Sequence, residues 1–146
     1  MKEKLLISAC LLGVGCRYDG GRVKKVDAEA LAEKYELVPV CPEIYGGLPT
    51  PRVPSERIGD RVVMKDGTDV TENFKRGLEH TLMIAEACGA RLALLKAKSP
   101  SCGKGEIYDG SFSGRLTDGN GYTVDGLISK GIEIYTENEI SELLAR

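Results

Sequence analysis

The chain has 146 residues, 42% of them hydrophobic and 29% charged, with a net charge of −2. That length fits a single domain spanning residues 1–146 around one sizeable core, and the balance excludes a disordered chain. The slightly acidic total argues against broad electrostatic binding to nucleic acid or to an anionic membrane surface.

The charged start runs through a short apolar stretch straight into a Gly-rich motif, so no signal peptide is read there. No stretch approaches the ~18 consecutive apolar residues of a membrane span, and a cytoplasmic location is expected. Residues 4–8 read as a short buried strand that ends at Cys10. Residues 11–21 then form a loop, with four glycines in its last nine residues. Asp27 caps a helix over 28–34, with Ala30, Leu31 and Tyr35 on its apolar face. Residues 36–40 form a second strand, again ending on a cysteine, Cys41.

The stretch 42–58 holds four of the 6 prolines, which argues against helix and against central strand. So long a loop in a compact domain is usually functional. Residues 61–64 and a turn at Asp66-Gly67 suggest a hairpin arm. Asp69 or Thr71 caps a long helix on which Phe74, Leu78, Thr81, Leu82, Ala85 and Cys88 recur at helical spacing, and Gly89 stops it. Residues 91–96 are a third strand, running into Ser99-Pro100-Ser101-Cys102. The Gly-rich region 104–122 reads as loop. A helix over 123–129, a strand over 132–135 and a helix over 137–145 complete the chain. Strands alternating with helices predict an α/β fold: a mostly parallel sheet with helices on both faces, a Rossmann-like three-layer sandwich. In such sheets ligands bind beyond the carboxyl ends of the strands.

The 5 cysteines are Cys10, Cys16, Cys41, Cys88 and Cys102. An odd number points away from a disulfide scaffold and toward metal or thiol chemistry. Cys88 lies on a helix's apolar stripe and reads as a small core residue. Cys10, Cys41 and Cys102 each follow a strand, in loops rich in Gly, Pro or Ser, so the fold gathers them at one sheet edge. Backbone amides in such loops can stabilise thiolates and cluster sulfides. Against this stand a core role at strand ends and an inert Cys10–Cys16 disulfide. Cys16 reads equally as a fourth ligand or as a thiol beside the site. The paired C-x-x-C knuckles of zinc sites and the compact cysteine runs of ferredoxins are missing. Dispersed cysteines can still hold a cubane with one iron lacking a protein ligand, a Lewis acid for a soft atom such as sulfur.

Glu43, two residues beyond Cys41, is either a proton-moving carboxylate of the same pocket or a solvated loop residue. Ser99 and Ser101 either bond to a substrate or cluster or merely cap the turn. Arg17, Tyr18, Asp19 and Arg52 read as a polar wall or, more commonly for such residues, as isolated surface pairs. His80, the only histidine, falls within the long helix as a surface or packing residue. The glycines match neither G-x-G-x-x-G, since position 18 is Tyr, nor a P-loop.

Several segments together carry a resemblance. They are Ser8-Ala9-Cys10-Leu11-Leu12-Gly13 with Cys16-Arg17-Tyr18-Asp19-Gly20, then Cys41-Pro42-Glu43 with Gly46-Gly47-Leu48, Pro51-Arg52 and Pro54. Further along come Gly67-Thr68-Asp69-Val70-Thr71, Leu95-Lys96, Ser99-Pro100-Ser101-Cys102-Gly103 and Ile107-Tyr108-Asp109-Gly110. Over nearly the whole chain and in order, these resemble the thiouracil desulfidase family, formerly a bacterial and archaeal domain of unknown function. The resemblance implies an enzyme that removes sulfur from thiolated uracils without net redox change and releases it as hydrosulfide. It implies a [4Fe–4S] cluster held by three cysteines, here Cys10, Cys41 and Cys102, with Cys16 also in the family pattern. It implies Glu43 as acid/base residue and one of Ser99 and Ser101 as a substrate-binding or activating group. The expected partner is a small thiolated base.

Two other classes of function compete with a desulfidase. One is a non-catalytic metal or sulfur carrier or redox-sensing module; the other is a metal-free cysteine-nucleophile enzyme, which requires a low-pKa thiol.

Overall fold

The computed structural model describes residues 1–21 and 25–146. Its centre is a four-stranded parallel sheet, ordered β2-β1-β5-β8. β1 (Glu3–Ser8) and β5 (Leu92–Leu95) occupy the middle, flanked by β2 (Tyr35–Val40) and β8 (Glu133–Thr136). The two central strands are near-continuous apolar runs because both of their faces are covered. Leu6, Ala93 and Leu95 pack on one face with Ala85, Val124 and Leu127. Leu5, Ile7, Leu92 and Leu94 pack on the other with Leu31 and Leu143. The first face is covered by α3 (Thr71–Cys88) and α4 (Tyr122–Ser129), the second by α1 (Ala28–Lys34) and α5 (Ile140–Ala145). The three-layer α/β expectation therefore holds. Among the described residues no helix is long and apolar enough to cross a membrane.

The predicted ends agree where local chemistry sets them. Asp27 Oδ1 accepts from the Ala30 amide at the start of α1. Gly89 ends α3 at φ +71, a conformation that costs a side chain far more than glycine. Cys88 is half-buried against the core beneath α3 and His80 is exposed, as read.

The Pro-rich and Gly-rich stretches differ from expectation. Pro42–Tyr45 is a short helix, α2, not loop. Proline is tolerated in the first turn because the amide it lacks has no partner there anyway. The hairpin arm is built by β3 (Ser55–Ile58) against β4 (Arg61–Met64), so its partner lies upstream, inside the stretch read as loop. Asp66-Gly67 instead turns the chain back to a bridge between Val63 and Asp69. The region 104–122 holds a second small hairpin, β6 (Glu106–Tyr108) with β7 (Leu116–Asp118). The last predicted helix begins as a 3-10 turn, Glu137–Glu139, before α5.

The element that carries Cys41 and Glu43 is seated by two glycines. A Cβ at Gly46 would stand 2.1 Å from the Asn73 carbonyl oxygen, and one at Gly77 would stand 2.1 Å from that of Pro42. Asn73 Nδ2 donates to the Gly46 carbonyl across the same contact (2.9 Å). Helix propensity alone favours Ala over Gly at position 77 by about 1 kcal/mol. A clash with backbone cannot be relieved by a rotamer change, and overpacking of this kind costs about 1–3 kcal/mol. Gly77→Ala is therefore expected to lower the urea midpoint and to shift α2. A midpoint equal to or above that of the wild type would contradict this seating.

Candidate functional site

The strand order reverses between β1 and β5. The chain leaves β1 toward β2 on one side and leaves β5 toward β8 on the other. A crevice opens at that point beyond the carboxyl ends of the strands. Cys10 lies in the 3-10 turn Ala9–Leu12 directly after β1. Cys41 stands between β2 and α2 as the helix N-cap residue. Cys102 follows β5 through the Ser99–Pro100–Ser101 turn. That turn is held from behind by the start of α4: the amides of Thr123 and Val124 donate to the Ser101 carbonyl at 3.0 and 3.2 Å. Gly121 permits this approach, since a Cβ there would meet the Ser101 carbonyl carbon at 2.4 Å.

Cys10, Cys16, Cys41 and Cys102 all line one cavity of about 450 Å³, within the usual range of small-molecule sites. All five cysteines are free thiols, so the Cys10–Cys16 disulfide is not formed. Cys16 lines the same cavity wall as Cys10 and Cys41. Its thiol is pushed up by the contact with Cys10, a shift opposed by Cys41 and supported by burial. The Cys41 thiol is pushed up strongly by Cys16 and by burial, against a lowering bond from the Ile44 amide. Burial pushes Cys102 up to about 12, against hydrogen bonds from Ser101 and Ser8. An activated cysteine nucleophile needs the opposite shift.

The donor set fits an iron–sulfur cubane better than a single ion. Tetrahedral zinc draws its sulfurs to within about 4 Å of one another. Among the described residues, no group of three or more His, Cys, Asp or Glu side chains converges in that way. A cubane is larger and can take its cysteines from separate segments, as Cys10, Cys41 and Cys102 do on this cavity. Ser101 Oγ lies 3.4 Å from Cys102 Sγ and can donate to it, the kind of contact that tunes cluster thiolates.

Glu43 reaches the cavity from the first turn of α2. Its Oε1 accepts from Arg52 Nε (3.2 Å) and its Oε2 from Ser101 Oγ (3.2 Å). Ser101 Oγ also lies 3.4 Å from Cys102 Sγ, so its single proton can serve the carboxylate or the sulfur. Ser99 has a different part: its Oγ accepts from the amides of Ser101 (3.2 Å) and Cys102 (3.1 Å) and touches Ser101 Oγ (3.1 Å). Ser99 thus shapes the turn while Ser101 faces the carboxylate.

Arg52 corrects the reading of its group as surface pairs. Its side chain is only 3% exposed. Besides Glu43 it donates to the carbonyls of Pro49 (3.0 Å) and Cys16 (2.9 Å) and to Thr50 Oγ1 (3.0 Å). One guanidinium therefore ties the carboxylate to the Cys16 loop. Tyr18 is exposed beneath the Arg17 guanidinium, and Asp19 bonds its own loop at the Gly21 amide. Missed in the sequence were Ser8, Glu56 and Phe112, which also line the cavity. Only the position of Ser8, immediately before Ala9-Cys10, was a signal.

A thiol-lined cavity at the switch point of a parallel α/β sheet, with a carboxylate–hydroxyl pair beside the sulfurs, is an arrangement suited to a cysteine-held cofactor. The 2-thiouracil desulfurase family model matches residues 5–139, and the chain belongs to that family. It is 38% identical over 150 residues to the uncharacterised protein YbbK of Bacillus subtilis, across 96% of this chain and 99% of that one. Among solved structures it matches the [4Fe-4S]-dependent thiouracil desulfidase TudS with a TM-score of 0.93 and 47% identity, covering 97% of this chain and 95% of that one. The family named from the residue patterns is the family the comparisons find.

Proposed function

We propose that this protein desulfurates a thiolated pyrimidine base of the 2-thiouracil kind, with a [4Fe–4S] cluster held by Cys10, Cys41 and Cys102. The observation that carries the reading is the single cavity uniting these thiols with the Glu43–Ser101 pair. The family match and the dependence of TudS on a cluster support it.

Held by three cysteines, such a cluster supplies one iron without a protein ligand, a Lewis acid suited to the soft thiocarbonyl sulfur. The net change is thiouracil plus water to uracil plus hydrogen sulfide, and no electrons are transferred. Glu43 takes a proton from the water that adds to the thiocarbonyl carbon and returns it as sulfur departs. Ser101, bonded to Glu43 Oε2, aligns that carboxylate; turned away from it, the same hydroxyl donates a hydrogen bond to the leaving sulfur or to the substrate's carbonyl oxygen and keeps its proton. Arg52 holds the other carboxylate oxygen.

Anaerobically reconstituted protein is expected to convert 2-thiouracil to uracil with equal release of hydrosulfide and no added reductant. Turnover that required a reductant would contradict a non-redox reaction, and an iron-loaded protein inert toward thiobases would leave the carrier reading in its place.

A further inference from the structure

The loop between β6 and β7 places a phenylalanine on the cavity wall in a conformation that its residue type disfavours. Phe112 has φ +55, in the left-handed region that side chains other than Gly, Asn and Asp rarely adopt. The loop is held there by a carboxylate from the other hairpin: Glu56 Oε1 accepts from the amides of Gly110 (2.9 Å) and Phe112 (3.1 Å). Gly110 lets the loop lie close on β3, since a Cβ there would stand 2.4 Å from Ile58 Cγ1.

Phe112 belongs to none of the three apolar clusters of the protein. Nor does it pair with another aromatic ring or a cation among the described residues. It is half-buried and lines the cavity with the cysteines. A strained backbone that delivers a large ring to a cavity, with no core packing to gain, is a mark of ligand binding. Ser55, the neighbour of Glu56, lines the same cavity and carries a buried hydroxyl with no partner. Such a group calls for a ligand or a water.

Resting on the desulfidase reading, we propose that Phe112, held by Glu56, is the stacking surface for the substrate's planar base. The two small hairpins then form the base-recognition half of the cavity, and the strand-end cysteines form the reacting half. Stacking acts on the whole ring in ground and transition states alike, so its loss falls on binding rather than on turnover.

The test combines kinetics of the cluster-loaded enzyme with calorimetric titration of uracil, the product. Phe112→Leu is expected to raise KM for 2-thiouracil and the Kd for uracil about tenfold, the scale of one base–aromatic stack, with kcat changed less than about twofold. Phe112→Tyr is expected to recover most of the lost affinity. Glu56→Ala should copy Phe112→Leu, and Glu56→Gln should recover affinity because its amide oxygen still accepts both backbone bonds. Unchanged KM and uracil affinity in a folded Phe112→Leu protein would overturn the proposal, as would a loss confined to kcat. A wild type that binds uracil tenfold more tightly than Phe112→Leu without turning over thiouracil would uphold the stacking surface and remove the desulfidase reading alone. A wild type that neither turns over thiouracil nor binds uracil would overturn both.

Discussion

Cys10→Ala, Cys41→Ala and Cys102→Ala proteins are each expected to lose their bound iron and to bring desulfuration down to background, while Cys16→Ala keeps its iron. The distinction rests on placement. Cys10 and Cys41 sit directly beyond β1 and β2, and Cys102 follows β5 through the Ser99–Pro100–Ser101 turn, all on segments fixed by backbone hydrogen bonds. If these three hold the cluster as proposed, losing one leaves two thiolates, too few to retain it. Cys16 comes from the loop between Gly13 and Gly20 and lines the cavity beside Cys10 and Cys41. Its removal perturbs the surroundings of the cluster and is expected to slow turnover by no more than about the 10–100-fold typical of outer-shell changes at metal sites. Iron and sulfide content, measured on anaerobically prepared variants, decides the matter. An iron-free Cys16→Ala protein beside an iron-loaded Cys10→Ala protein would exchange the two roles.

Glu43→Gln is expected to keep the cluster and lose activity by about 10²–10⁴-fold, the usual contribution of a positioned acid/base group. The amide preserves the shape of the side chain and an oxygen for Arg52, but it cannot take a proton. The substitution also leaves the Arg52 guanidinium, 3% exposed, without its counter-charge. Breaking a buried pair from one side costs about 3–5 kcal/mol, so a lower melting temperature accompanies the loss of rate. The two effects separate in single-turnover measurements on folded, iron-loaded protein well below the melting point. A rate within threefold of wild type would remove Glu43 from the proton transfer and leave it as the partner of Arg52. Ser101→Ala is expected to lower the rate by a smaller factor, since Arg52 still holds the other oxygen of the carboxylate.

The parts of the molecule legible in the sequence were those governed by short-range pattern. β5 and the Leu5–Ile7 part of β1 are apolar runs because both of their faces are covered, and Cys10, Cys41 and Cys102 could be placed at one edge once three parallel strands were recognised. Asp27 and Gly89 marked helix ends through their own backbone chemistry. The β6–β7 hairpin and the upstream strand of the β3–β4 hairpin were hidden for a different reason. β6 and β7 have three residues each, and only Ile107 among them is buried. They show almost no alternation, and long-range pairing alone defines them. β3 follows a run of prolines that masks its start, and its partner could be found only by folding the chain back on itself.

Arg52 illustrates the same limit within the site. From the sequence it was one cation among several in a polar loop. Its burial and its bond to Glu43 exist because α2, the Cys16 loop and the 49–52 segment converge on it, a tertiary fact without a local signature. The same holds for Glu56 and Phe112, contributed by different hairpins. The gathering of Cys10, Cys41 and Cys102 on one cavity was thus readable from the sequence, whereas the residues that the hairpins contribute to it were not.

The cluster and the chain's own acid/base pair are expected to act together in one desulfuration site. The most direct measurement prepares the protein anaerobically with graded cluster occupancy and follows uracil and hydrosulfide from 2-thiouracil at each occupancy. The account predicts equal amounts of the two products and a rate proportional to cluster content. A cluster-free protein as active as the loaded one, or a fully loaded protein that releases no hydrosulfide, would contradict it.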